Sequence, residues 1–349
     1  MDFKFYSCVR APFVINGLVP QDKEAGFCRL PREMLEDARL SDNMRTLAYH
    51  TPGGRIRFCT DSEQIVVRIR LKNVTLMKHM SPVSAMGADV YSRRAGDASE
   101  PRFDGAIIPE LNKEQTYQGC ISYQNDKLMR EIILHLPLYC QVEAVEIGLY
   151  PQARIESPGK YRTEDPVVFY GSSITQGACC SRPGLAYPAI LARKLDCDFL
   201  NLGFSGNAFG EAFMSEYIST MKMSAFVLDY DYNARSEQYL RQTHYQFYQN
   251  VRNAKPELPI IVMSAPIVPP ANTTVYEKRM EMSRAIIMDS FVKGKLAGDR
   301  NLYFVDGETL LGDSDASDAL LDGVHPNDVG FRSIAKRLYP LLRKILYGT

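Results

Sequence analysis

The sequence has no tryptophan and no net charge, since 41 Lys and Arg balance 41 Asp and Glu in 349 residues. It also has no apolar run approaching the roughly 18 to 20 residues of a membrane helix. The charge balance excludes proteins that coat duplexes or anionic membranes, because neutralising many phosphates takes a basic surplus. Neither a nucleic-acid nor a membrane partner is expected, although a local basic patch is compatible with the balance. Oligomeric state is not legible.

No Cys-x-x-Cys pair occurs among the eight cysteines, so no zinc framework is visible and no metal site is expected. Cys179 and Cys180 are adjacent, a poor geometry for a disulfide between them. Scattered cysteines read as small buried hydrophobes in a reducing compartment. The first residues, Met1-Asp2-Phe3-Lys4-Phe5, lack the basic segment, apolar core and cleavage site of a signal peptide. The expected location is the cytoplasm; the alternative is export of a chain whose leader has been removed.

What remains is ordinary globular composition, 45% hydrophobic and 23% charged, at a length suited to two medium domains or one very large one. The first 150 or so residues hold short runs rich in β-branched and aromatic residues. These are Arg55 to Thr60, Gln64 to Leu71, Ala88 to Arg93, Gly105 to Pro109, Thr116 to Ser122, Met129 to Tyr139 and Ala144 to Tyr150. With no long helix between them, they predict an antiparallel β-sandwich, domain 1–155.

A polar stretch with Pro151, Pro158, Gly159 and Pro166 reads as the linker. Beyond it, domain 156–349 alternates strand and helix five times. The strands are Val167 to Tyr170, Phe199 to Gly203, Ala225 to Tyr230, Ile260 to Ser264 and Leu302 to Asp306. The helices are Tyr187 to Leu195, Phe209 to Met221, Glu237 to Asn253, Tyr276 to Lys295 and Asp328 to Leu346. That pattern predicts a parallel sheet covered on both faces, an α/β fold of three α/β/α layers with reactive loops at the strand carboxyl ends.

Two stretches carry chemistry. Gly171-Ser172-Ser173-Ile174-Thr175-Gln176-Gly177 follows the first parallel strand, where small residues allow a tight turn that presents a hydroxyl to a helix N-terminus. A nucleotide-loop reading fares worse there, because neither Gly-x-Gly-x-x-Gly nor Gly-Lys-Ser/Thr is present. Asp322-Gly323-Val324-His325-Pro326-Asn327 precedes the last helix. A carboxylate three residues ahead of a histidine can hold one ring nitrogen while the other faces a nucleophile. The plainer alternative is that Asp322 or Asn327 caps that helix.

These stretches, with Asn201-Leu202-Gly203-Phe204-Ser205-Gly206-Asn207 and Asp229-Tyr230-Asp231-Tyr232-Asn233 between them, resemble the four blocks of the SGNH (GDSL-type) hydrolases, in that family's order. The resemblance implies a flavodoxin-like SGNH domain and a catalytic triad of Ser173, His325 and Asp322. It also implies an oxyanion hole from the N–H groups of Ser173 and Gly206 and the Asn233 amide. Ser172 stands where the family usually has Asp, and Asp231 and Ala234 stand where Gly and Asp are usual. In the first domain, Gly87-Ala88-Asp89-Val90-Tyr91 resembles the Gly-x-Asp-Leu-Tyr signature of a jelly-roll-like sandwich found before some SGNH domains in bacteria.

The implied activity is an SGNH-type esterase or acylhydrolase. It would act through an acyl-serine on a carbohydrate or small-molecule ester, removing acetyl or another short acyl group without a cofactor. The alternatives are an acyltransferase using the same acyl-enzyme and a carbohydrate-binding protein with a vestigial SGNH half. His244, the helix face Tyr245, Phe247 and Tyr248, and the Cys179-Cys180 pair are expected to pack in the core. Asp89 and Tyr91 either shape the mouth of the site or serve the sandwich structurally.

Overall fold

The computed structural model describes residues 2–19, 27–74, 76–124, 126–266, 274–312, 316 and 318–348. The first half contains β1 (Lys4–Ser7), β2 (Val14–Asn16), helices α1 (Arg32–Leu35) and α2 (Asp42–Ala48), β3 (Arg55–Thr60) and β4 (Gln64–Asn73). There follow α3 (Pro82–Ala85), β5 (Ala88–Arg94), β6 (Arg102–Ile107), β7 (Thr116–Ser122), β8 (Arg130–His135), β9 (Gln141–Leu149) and β10 (Ile155–Glu156). One antiparallel sheet runs β1-β9-β4-β7; the other runs β10-β3-β8-β5-β6, with β2 on β3.

The alternation of β4 explains its place. Ile65, Val67, Ile69 and Leu71 are buried, while Arg68 and Arg70 face out and reach Glu146 and Glu143 on β9 at 3.1 and 3.0 Å. The seven expected runs are all strands, β6 beginning earlier than expected and β8 ending at His135. β1, β2 and β10 were not expected. Each is two to four residues long, too short for a period to register. β10 also falls inside the expected linker, and its pairing with β3 holds that stretch against the sandwich.

The second half is doubly wound. Strands β11 (Thr163–Gly171), β12 (Cys197–Gly203), β13 (Ala225–Asp229), β14 (Ile260–Met263) and β15 (Leu302–Val305) form a parallel sheet in the order β12-β11-β13-β14-β15. This is the 2-1-3-4-5 order of flavodoxin-like folds, with its switch point beside β11. The helices are α4 (Ser173–Gln176), α5 (Tyr187–Leu195), α6 (Ala212–Thr220), α7 (Glu237–Ala254), α8 (Thr274–Leu296) and α9 (Asp328–Tyr347).

Alternate side chains of β11 serve opposite layers. Val167 and Phe169 join the core of α5 and α9, whereas Val168 and Tyr170 join that of α6, α7 and α8. The latter core also takes in Leu30, Met34, Leu40 and Met44 from the α1–α2 segment. That segment lies between the sandwich strands β2 and β3 in sequence, yet it completes a hydrophobic layer of the parallel sheet.

Candidate active site

The turn after β11 is compact because Gly171 has no side chain. A Cβ there would lie 2.1 Å from Thr175 Oγ1 and 2.3 Å from the Asp229 carbonyl oxygen. Ser172, in the position where Asp was the expected residue, caps α4: its Oγ accepts the Ile174 N–H at 3.2 Å. Ser173 is the first helical residue and its side chain is almost buried.

Ser173 Oγ lies 2.9 Å from His325 Nε2, and His325 Nδ1 lies 2.8 Å from Asp322 Oδ2. The second carboxylate oxygen of Asp322 accepts the backbone N–H groups of Val324 and His325 at 3.0 and 2.8 Å. Burial pushes the Asp322 pKa up, but these hydrogen bonds outweigh it and hold the carboxyl below the usual range. An ionised Asp322 accepts a proton-bearing Nδ1 and leaves the Nε2 lone pair toward Ser173. The capping alternative belongs to Asn327, whose Oδ1 accepts the N–H groups of Val329 and Gly330 at the start of α9.

Gly206 takes φ +65°, in the left-handed region that favours glycine, with open space where a Cβ would be. Asn233 is half-buried on the short 3-10 turn after β13, and its amide donates one N–H to the Phe204 carbonyl at 3.0 Å. Its second amide N–H has no acceptor among the described residues.

The blocks are tied together by residues to which the sequence assigned no role. Gln176 donates to Leu138 of the sandwich at 3.1 Å and accepts the Ser205 N–H at 2.9 Å. Asn201 donates to the Thr175 carbonyl at 2.7 Å. Asp229, fully buried, accepts from Thr175 and Tyr187 at 2.9 and 3.0 Å, and burial raises its pKa well above the usual carboxylate range. Arg29, three residues before α1, is buried and has no carboxylate partner among the described residues. It donates to the carbonyls of His50, Asn201 and Gly203 at 3.0, 2.9 and 2.6 Å and lies 4.3 Å over the Phe204 ring. Only a signal linking position 29 to position 201 would have revealed it.

His244 is buried against Tyr230, its ring nitrogens have no hydrogen-bond partner, and burial pulls its pKa down to about 3. It is a neutral core residue, as expected, and Phe247 and Tyr248 are likewise buried. Asp89 is fully buried, accepting Arg182 at 2.9 Å and the Gly184 N–H at 3.0 Å, so it clamps the sandwich to the chain beyond α4. Cys179 Sγ, an Asp322 oxygen and a His325 nitrogen lie within 4.8 Å of one another, a donor set that could hold a soft divalent ion. Burial and the nearby Asp322 push the thiol up to about 12, which disfavours the thiolate such a site needs.

Residues 164–343 match the GDSL-like lipase/acylhydrolase family. The chain belongs to that family. Residues 3–155 match the GxDLY family, the N-terminal part of SGNH-type esterases, so both resemblances seen in the sequence are borne out. A protein from Bacteroides ovatus ATCC 8483 assigned as a GDSL-like lipase superimposes with a TM-score of 0.88 at 27% identity, covering 99% of this chain and 98% of that one. A salicylyl-acyltransferase from a tetracycline biosynthetic pathway gives 0.77 at 19% identity, over 97% of each chain. A family two carbohydrate esterase from Clostridium thermocellum, in complex with cellohexaose, gives 0.61 at 14% identity over 96% and 99%. The last two share the fold. No curated protein sequence matches the chain, and none of the described helices is long and apolar enough to cross a membrane.

Proposed function

We propose that this chain is a serine-dependent carboxyl-ester hydrolase that removes acetyl or another short acyl group from a carbohydrate ester. The observation that carries the reading is the unbroken line from Ser173 Oγ through His325 to Asp322, with contacts of 2.9 and 2.8 Å. A serine hydroxyl attacks only when a base takes its proton. His325 Nε2 accepts it as Oγ bonds to the acyl carbon, and Asp322 stabilises the imidazolium. The oxyanion is received by the N–H groups of Ser173 and Gly206 and the free amide N–H of Asn233. His325 returns its proton to the leaving alcohol. Water then repeats the cycle on the acyl-serine and releases the carboxylic acid, a sequence that uses no cofactor.

The carbohydrate part rests on the sandwich and on the carbohydrate esterases that share this two-part fold. An acyltransferase is the second reading, favoured by the closer superposition of the salicylyl-acyltransferase. The two differ in which acceptor takes the acyl group. The complete Ser173–His325–Asp322 line counts against a vestigial catalytic half.

The test is hydrolysis of p-nitrophenyl acetate by wild type and by Ser173→Ala, followed by acetate release from acetylated oligosaccharides with and without an added alcohol. Turnover should vanish in the variant while folding persists. A Ser173→Ala protein with wild-type rates would sink the assignment, and transesterified product in place of acetate would move it to the second reading.

A further inference from the structure

Between β5, β6 and their connection on one side and α5 and α9 on the other lies a groove of about 1170 Å³ that includes neither Ser173 nor His325. In a chain of zero net charge, eight of its lining residues are Arg or Lys and two are acidic. Three of these cations are paired. Arg93 meets Glu131 and Asp196 at 2.7 and 3.0 Å, Arg182 meets Asp89 at 2.9 Å, and Lys194 meets Glu100 at 3.2 Å.

The other five have no ion-pair partner among the described residues. Arg193 is 92% buried in the wall, its guanidinium 3.8 Å over the Tyr91 ring and its Nε without a hydrogen-bond acceptor. Arg94, Arg102, Arg332 and Lys336 are exposed. Arg332, Lys336 and Tyr339 follow at i, i+4 and i+7, one ridge of α9 whose neighbours stand about 5–6 Å apart. Phe103, 45% exposed, adds an aromatic ring to the opposite wall.

A ligand for this groove must carry repeated negative charge and have apolar faces for the rings. A pyranose chain bearing carboxylates meets both demands. Its carboxylates pair with guanidinium forks, its hydroxyls accept from the remaining N–H groups, and its C–H faces lie on aromatic rings. Nucleic acid fits less well, because the chain as a whole has no basic surplus to draw in a polyphosphate.

The groove and the candidate site are built on adjoining chain segments. Arg182 follows the α4 turn, α9 begins just after His325, and the Ser181 N–H bonds the Asp328 carboxylate at 2.8 Å between them. We infer that this groove binds an anionic oligosaccharide of the uronate type and holds the chain whose ester reaches Ser173. The delivery role rests on the esterase reading; the binding does not.

The experiment is calorimetric titration of the full chain with hexagalacturonate at low salt, beside neutral cellohexaose and a thymidine hexanucleotide. Hexagalacturonate should bind, weaken as salt rises, and lose about tenfold or more in affinity in the double variant R332E/K336E. That variant should hydrolyse p-nitrophenyl acetate at the wild-type rate, and R94E/R102E on the other wall should reproduce the loss of binding. Equal affinity for cellohexaose, or binding indifferent to both charge reversals, overturns the inference. Tighter binding of the hexanucleotide also overturns it and gives the groove to nucleic acid. If Ser173→Ala keeps its ester turnover while charge-dependent hexagalacturonate binding persists, the esterase reading fails and the binding site stands.

Discussion

His79, on the loop between β4 and α3 of the sandwich, stacks its ring on His325, with centroids 5.8 Å apart and planes inclined by 29°. The proposed general base thus has one partner from each half of the chain: Asp322 at its ring edge and His79 over its face. Such aromatic pairs contribute about 0.5–1.5 kcal/mol beyond burial. His79→Ala should therefore lower kcat on p-nitrophenyl acetate about two- to tenfold, with His79→Phe restoring most of it. Steady-state kinetics of the two variants decide it; unchanged kcat in His79→Ala would make the stack incidental.

Asp322→Asn keeps an oxygen for the Val324 and His325 N–H groups but can turn an NH2 toward Nδ1. That favours the tautomer whose Nε2 proton faces Ser173. Turnover is expected to fall by about three or more orders of magnitude with the melting temperature little changed. Asn233→Ala, which removes one proposed oxyanion donor, should cost about a hundredfold in kcat.

Arg29→Met leaves the carbonyls of Asn201 and Gly203 without the guanidinium that serves them. Each unsatisfied buried acceptor costs about 1–3 kcal/mol, so a loss of about 3 kcal/mol is expected in urea unfolding. Residues 160–349 expressed alone also lack Leu30, Met34 and Met44 from the core of the sheet and should be insoluble. A soluble, fully active fragment would refute the structural importance of the segment.

Asp231 offers a pH signature. Burial pushes its pKa up to about 6, only partly offset by the Ala265 N–H on Oδ2, and its Oδ1 has no partner. Between about pH 4 and 6 the folded chain keeps a proton that the unfolded chain has lost, so stability falls as pH rises through that window and levels off above it. A shift of about two units is worth about 3 kcal/mol, less to the extent that Asp229 titrates with it. Asp231→Asn should flatten this slope in thermal melts at pH 4.5 and 7.5. Parallel slopes for variant and wild type would show that Asp231 does not titrate in this range.

The parallel strands were legible because burial on both faces makes them continuous apolar runs, and the four blocks were legible because each sits at a strand end or a helix start. The triad candidates Ser173, His325 and Asp322 do meet. What escaped was held by sequence-distant partners. Nothing local marks Arg29 before Asn201 and Gly203 are beside it, or His79 before the fold brings it to His325. The α1–α2 segment escaped for the same reason, since Leu30, Met34 and Met44 find their neighbours across the domain boundary.

The position of Arg29 also sets an order of events on the ribosome. Its acceptor at Asn201 is 172 residues downstream, so at about 5–20 residues per second it emerges roughly ten to thirty seconds before its binding surface exists. Throughout that interval the nascent segment exposes Leu30, Met34 and Met44 while the sandwich is being made around it. The Asn201-to-Asn207 block can then take its final shape only when a piece of chain synthesised long before returns to dock.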